Sequence, residues 1–198
     1  MSSILTPGRN LVLIGMMGAG KTVVGRLVAA HLGRPFVDTD ALVEAEAHKP
    51  IPEIFASEGE RGFRAREAAV IRRVSALRGQ VVAVGGGAVV DPANVTSLRA
   101  TGDLILLDAP PEVLARRVAG GVAAGSTGAG GDHRPLLAGA TDLAARLAEV
   151  RDRRDGAYRR AATSTISTTG RSPAEVAAAV LAWARAQPGL LTSEEREP

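Results

Sequence analysis

Short apolar runs alternate along the chain with longer stretches in which apolar positions recur every three or four residues. That rhythm predicts parallel strands joined by crossover helices. "LVLIG", from Leu11, reads as a buried strand, and "KTVVGRLVAAHLG" after it as a helix ending at Gly33. "PFVDTD" reads as a second strand closing on two carboxylates, and "EGERGFRAREAAVIRRVSALRG" as a long arginine-rich helix. "VVAVGGG" is a third strand running into three glycines, Asp91-Pro92 opens a helix, and "DLILLDA" is a fourth strand. After "PPEVLARRV" the stretch "AGGVAAGSTGAGGDHRPLL" is too rich in glycine to hold a helix and reads as a mobile loop. Helix resumes near Thr141 and passes Tyr158, and "TSTIST" is a weak fifth strand. Ser172-Pro173-Ala174-Glu175 is a capping box that starts a last helix reaching about Gln187. These elements predict an α/β fold in one domain over residues 1–187, with 188–198 a disordered tail.

Composition narrows the class. A chain of 198 residues with 45% apolar content can build one substantial core. The net charge of +3, one Trp and one Tyr leave no basic surface interleaved with aromatics, so nucleic-acid binding is not expected. The absence of cysteine excludes disulfides and thiolate metal sites. No signal-peptide pattern opens the chain and no run is long and apolar enough to span a bilayer, so a soluble cytoplasmic protein without a membrane partner is expected. No long exposed apolar stripe asks for a second copy, and a monomer is expected.

The chemistry begins at Gly15-x-x-x-x-Gly20-Lys21-Thr22, set between the first strand and the first helix. Glycines there let the backbone turn its N–H groups onto phosphate oxygens, and the helix presents its positive end to the same place. Lys21 can reach the β and γ phosphates and the Thr22 hydroxyl can ligate Mg²⁺. Asp38 and Asp40 close the second strand, where alternation would turn both toward the ligand crevice. Asp38 suits a magnesium site and Asp40 an acceptor hydroxyl; the plainer use of either is to cap the helix beginning at Ala41.

The arginines are harder to sort. Arg64 and Glu67 at i,i+3 make an ordinary surface pair by spacing alone, although Glu67 could equally orient Arg64 toward a carboxylate. Arg134, in "HRPLL", reads as the tip of a lid that brings positive charge to a transferring phosphoryl. Arg117 could do the same or favourably end its helix. Spacing does not choose among Arg151, Arg153, Arg154, Arg159 and Arg160.

Placed in order, "GMMGAGKT", "DTD", "FRAREAAV", "GGGAVV", "RPLL" and "RRDGAYRRAA" resemble the shikimate kinase family, small P-loop kinases of the nucleoside monophosphate kinase fold. The resemblance runs from about Leu11 to Trp183. It implies a three-layer α/β/α architecture with a five-stranded parallel sheet, substrate-binding helices and a mobile lid over about 118–135. It also implies transfer of the γ-phosphoryl of ATP to the 3-hydroxyl of shikimate, with Mg²⁺, on the route to chorismate and aromatic amino acids. Nucleotide contacts carry over to Gly18, Ala19, Gly20, Lys21, Thr22 and Val23, to Arg134 in the lid and to Arg171 near the adenine. Magnesium carries over to Thr22 and Asp38. Substrate contacts carry over to Asp40 on the hydroxyls, Arg64 and Arg154 on the carboxylate, and Gly86 by its backbone, with Lys21, Asp40 and Arg134 as the catalytic set. The lid segment is longer than the family's usual one and "STTGRSP" departs from its adenine-side stretch. The rival readings are a gluconate-type kinase of the same fold and a non-catalytic nucleotide-binding module.

Overall fold

The structure, a computed structural model, describes residues 8–123 and 142–196. Five strands form one parallel sheet: β1 (Asn10–Ile14), β2 (Phe36–Asp38), β3 (Val81–Ala83), β4 (Gly102–Asp108) and β5 (Ser164–Ser167), in the spatial order β2-β3-β1-β4-β5. The chain first builds to one side of β1 and then crosses to the other. Its register pairs Leu11 with Val81 on one flank and with Asp103 on the other. Ligands of open α/β sheets bind at such a reversal, outside the carboxyl ends of the strands.

Burial explains the strand compositions. Every residue of β1 and β3 is buried, as continuous apolar runs in a parallel sheet require. The edge strands are short and more polar: β5 is "STIS", with only Ile166 buried. A polar edge discourages pairing with another chain. It also makes the strand faint in the sequence.

Helices α1 (Lys21–Leu32), α2 (Thr39–Ala47), α3 (Ile51–Ser75), α4 (Pro92–Thr101), α5 (Pro111–Ala123), α6 (Leu143–Ala161), α7 (Pro173–Ala186) and α8 (Ser193–Arg196) fill the connections. Gly33 ends α1 in the left-handed conformation, and α7 opens with the expected Ser172/Glu175 capping box. α1 packs against α7, α3 against α4, and α5 against α6.

Four expectations change. β2 stops at Asp38, and Asp40 lies in the first turn of α2, because the Asp38 carboxylate accepts from the Asp40 and Ala41 amides and starts the helix there. Strand alternation therefore does not orient Asp40. α3 begins well before "EGERGF", at Ile51, and bends at Gly59, whose φ of 68° and ψ of −179° interrupt the helix. α5 continues to Ala123 through Gly120 and Gly121, so the first residues of the expected lid are helical; the rest of it, with Arg134, lies outside the described residues. The segment from Pro188, expected to be disordered, packs: Leu190 and Leu191 are buried and Glu195 forms a two-pronged ion pair with Arg34. The sequence carries two leucines and a Thr-x-x-Glu start there, and Thr192 and Glu195 cap each other's backbone amides.

Candidate active site

The phosphate loop joins β1 to α1. Gly15, Gly18 and Gly20 all have positive φ (139°, 79° and 94°). Two of them also lack room for a side chain: a Cβ would sit 2.4 Å from the Leu107 carbonyl oxygen at Gly15 and 2.9 Å from that of Leu114 at Gly18. The Lys21 ammonium donates to the carbonyls of Gly15 (2.8 Å) and Met16 (3.1 Å), which holds it inside the loop's curve. Ala19 is buried and Val23 is exposed on the first turn of α1.

One turn into α1, the Thr22 hydroxyl donates to Asp38 Oδ2 at 2.8 Å. One carboxylate and one hydroxyl are hard oxygen donors that suit Mg²⁺, which completes its shell with water and phosphate oxygens. Among the described residues no three acidic or histidine side chains gather as an all-protein cage. The pair thus fits a cation that arrives with a nucleotide.

Behind β3 lies Gly85-Gly86-Gly87, and the predicted acceptor residues meet there. A Cβ on Gly85 would lie 2.4 Å from Asp40 Oδ1 and 2.9 Å from Glu67 Oε1, and one on Gly87 would lie 2.6 Å from both terminal nitrogens of Arg64. Two carboxylates and a guanidinium rest directly on bare backbone. At Gly86 a Cβ would meet nothing closer than 3.6 Å, so its flanking glycines make the stronger demand. The Thr39 hydroxyl, fully buried, accepts from the Gly85 amide at 3.0 Å and ties the start of α2 to this strip. From α6, Arg154 donates to the Gly86 carbonyl at 3.1 Å and the Tyr158 phenol donates to the same oxygen.

Arg64 donates to Glu67 Oε2 at 2.7 Å and to the exposed Glu60 at 3.4 Å. The guanidinium is 30% exposed and Glu67 only 1%, so the pair is no solvated surface bridge. Arg64, Glu67, Gly87, Asp91 and Arg154 line a cavity of about 380 Å³. Arg153 and Glu60 complete its charged lining. The guanidinium groups of Arg64 and Arg154, gathered at one small cavity, make a binding surface for a carboxylate.

Burial dominates the titration of the carboxyls. It raises Asp40 from its ordinary 3.8 to about 7, helped by the Asp38 charge and opposed by Lys21. Burial also raises Glu67, against the pull of Arg64. A carboxyl that titrates near neutral pH is matched to accepting a proton.

On the opposite flank, Arg117 donates to the Gly18 carbonyl (3.3 Å), the Thr168 hydroxyl (2.8 Å) and the Thr168 carbonyl (2.7 Å), which fastens the phosphate loop to the β5–α7 turn. Arg117 thus supports the loop through backbone and hydroxyl contacts. Arg171 sits at the far end of that turn, exposed, just before the α7 cap.

A family model described as shikimate kinase matches residues 17–185. The chain belongs to the shikimate kinase family. Its sequence is 49% identical over 172 residues to the shikimate kinase of Symbiobacterium thermophilum, covering 87% of this chain and 94% of the relative. It is 43% identical over 183 residues to that of Halorhodospira halophila, covering 92% and 97%. Among solved structures it is similar to the shikimate kinase of Acinetobacter baumannii in complex with shikimate, with a TM-score of 0.78 and 35% identity over 88% of this chain and 92% of the other. As a member of the family the protein is a kinase that uses ATP as co-substrate and phosphorylates the 3-hydroxyl of shikimate, a step of aromatic amino acid biosynthesis.

Proposed function

We propose that the transfer runs across the gap between the phosphate loop and the glycine strip, with ATP held by residues 18–23 and shikimate on Gly85–Gly87. In this reading Arg64 and Arg154 grip the substrate carboxylate, and the Gly86 backbone approaches the ring. Asp40 accepts a hydrogen bond from the 3-hydroxyl and takes its proton as the bond from that oxygen to the γ-phosphorus forms and the bond from phosphorus to the bridging oxygen breaks, with ADP leaving. Lys21 neutralises charge spread over the phosphoryl oxygens, and Arg134 joins it from the lid. Thr22 and Asp38 would hold Mg²⁺, which would supply positive charge to offset that of the phosphates. Arg171 flanks the adenine. The reading makes residues 1–187 one kinase domain that works as a monomer in the cytoplasm; the segment 188–196 belongs to its packed body.

The observation that carries the proposal is the convergence of Asp40, Glu67 and Arg64 on three residues that have no side chains, with Arg154 reaching the same strip from α6. A hydroxylated carboxylate is the ligand that uses both halves of such a surface. A gluconate-type acceptor is less well served, because its open chain offers no flat ring to lie on the strip.

Coupled measurement of ADP release, with Mg·ATP present and shikimate added or omitted, tests the reading. Turnover that depends on shikimate and not on gluconate is expected. Equal ADP release without shikimate would overturn it.

A further inference from the structure

The glycine strip has a mechanical weakness that its neighbours answer. Glycine peptides rotate at little cost, so a run of three has no conformation of its own. The strip is pinned at its ends: the Gly85 amide donates to Thr39, the Gly85 carbonyl accepts from the Ala88 amide at 3.1 Å, and the Gly87 carbonyl accepts from the Val90 amide at 3.1 Å. The central peptide, Gly86 carbonyl to Gly87 amide, is held differently. Its carbonyl is fixed by two side chains of α6, Arg154 and Tyr158, and its amide has no partner among the described residues.

We propose that Tyr158 is a positioning residue for the acceptor substrate, acting through the Gly86 carbonyl it shares with Arg154. In a trans peptide the N–H points opposite to the C=O. Anchoring the Gly86 oxygen against α6 therefore turns the Gly87 amide away from that helix, and Arg64 stands against the same residue, where a Cβ would be. The same oxygen holds one nitrogen of Arg154, so the phenol also sets where that guanidinium stands. Tyr158 is suited to the task. It lies one helical turn after Arg154, it is 3% exposed, and burial raises its hydroxyl to about 12, so it remains a donor throughout the working pH range. It touches no substrate atom in this scheme. Its effect reaches the ligand through a peptide plane and a guanidinium.

The inference rests on the substrate placement proposed above, and Tyr158→Phe tests it while keeping the buried ring. Kinetics are measured for the wild type and the variant with shikimate and with its carboxamide, which lacks the charge that Arg154 grips. The variant should raise KM for shikimate about three- to tenfold, the worth of one neutral hydrogen bond. KM for ATP and kcat should stay within about twofold, and the penalty should shrink toward unity with the carboxamide. An unchanged KM for shikimate would overturn the proposal. So would equal penalties for shikimate and carboxamide, or parallel rises in both KM values, since these mark a general loosening of the fold. If the wild type itself bound shikimate and carboxamide equally, the placement of the carboxylate would fail first, and the role of Tyr158 with it.

Discussion

Asp40 concentrates the conflict between folding and function in one side chain. Burial, then Asp38, raises its carboxyl to about 7, whereas in the unfolded chain it ionises near 3.8. A group raised in the fold contributes stability that is complete below the unfolded value and lost as pH climbs through the folded one. Asp40→Asn carries no charge to bury. The variant should therefore melt at a higher temperature than the wild type at pH 8 and gain clearly less at pH 5, in thermal scans at the two values. Activity should move oppositely. The variant should lose about 10² to 10⁴ in kcat with ATP binding intact, and the wild type should lose kcat/KM as pH falls below about 7. Gly85→Ala tests the neighbouring backbone. Its Cβ would press on Asp40 and Glu67 together, so shikimate-dependent turnover should fall at least about a hundredfold while the nucleotide still binds, as equilibrium titration would report.

At the scale of elements, the phosphate loop and the caps were legible in the sequence because each depends on residues close in the chain. Glycine spacing, Ser172 with Glu175, and Asp91 before Pro92 act within a turn, and the structure has all of them. Asp38 and Asp40 were visible as candidates, but the wrong element carried Asp40, since a three-residue strand passing straight into a helix leaves little pattern to read. The pairing of Arg64 with a buried Glu67 could not be read from i,i+3 spacing, because burial is set by the distant glycine strip. Tyr158 stands four residues after Arg154, a spacing that puts both on one helix face, but nothing local marks the Gly86 carbonyl as their shared partner. The bend in α3 was invisible for another reason: a glycine inside an arginine-rich helix has the same signature whether the helix bends or not. Gly59 sits in a backbone region open almost only to glycine, and a Cβ there would meet nothing within 4 Å. Gly59→Ala should therefore cost about 1–3 kcal/mol through conformation alone. Because Arg64 lies in the turn after the bend, KM for shikimate should rise along with the loss in melting temperature.

For the molecule as a whole, the C-terminal segment closes the structure onto its first strand. Arg34 is nearly buried and spends its donors on Glu195, the Leu190 carbonyl and the Arg9 carbonyl, so one side chain ties α1's end, β1's entry and the last helix together. Removing one member of a buried ion pair strands the other. Glu195→Ala should lower the unfolding free energy by about 3 kcal/mol, read as a melting temperature lower by several degrees, with kcat and both KM values unchanged because the contact is remote from the glycine strip. The strand order has a further consequence for how the protein is made. β1 carries the phosphate loop and precedes the other four strands of the sheet in the chain, yet its lateral partners are β3 and β4, and the second of these begins at Gly102. At about 5–20 residues per second, that partner leaves the ribosome's active centre several seconds after β1. A nascent chain arrested before β4 has emerged from the exit tunnel should not retain nucleotide, and one arrested beyond β5 should.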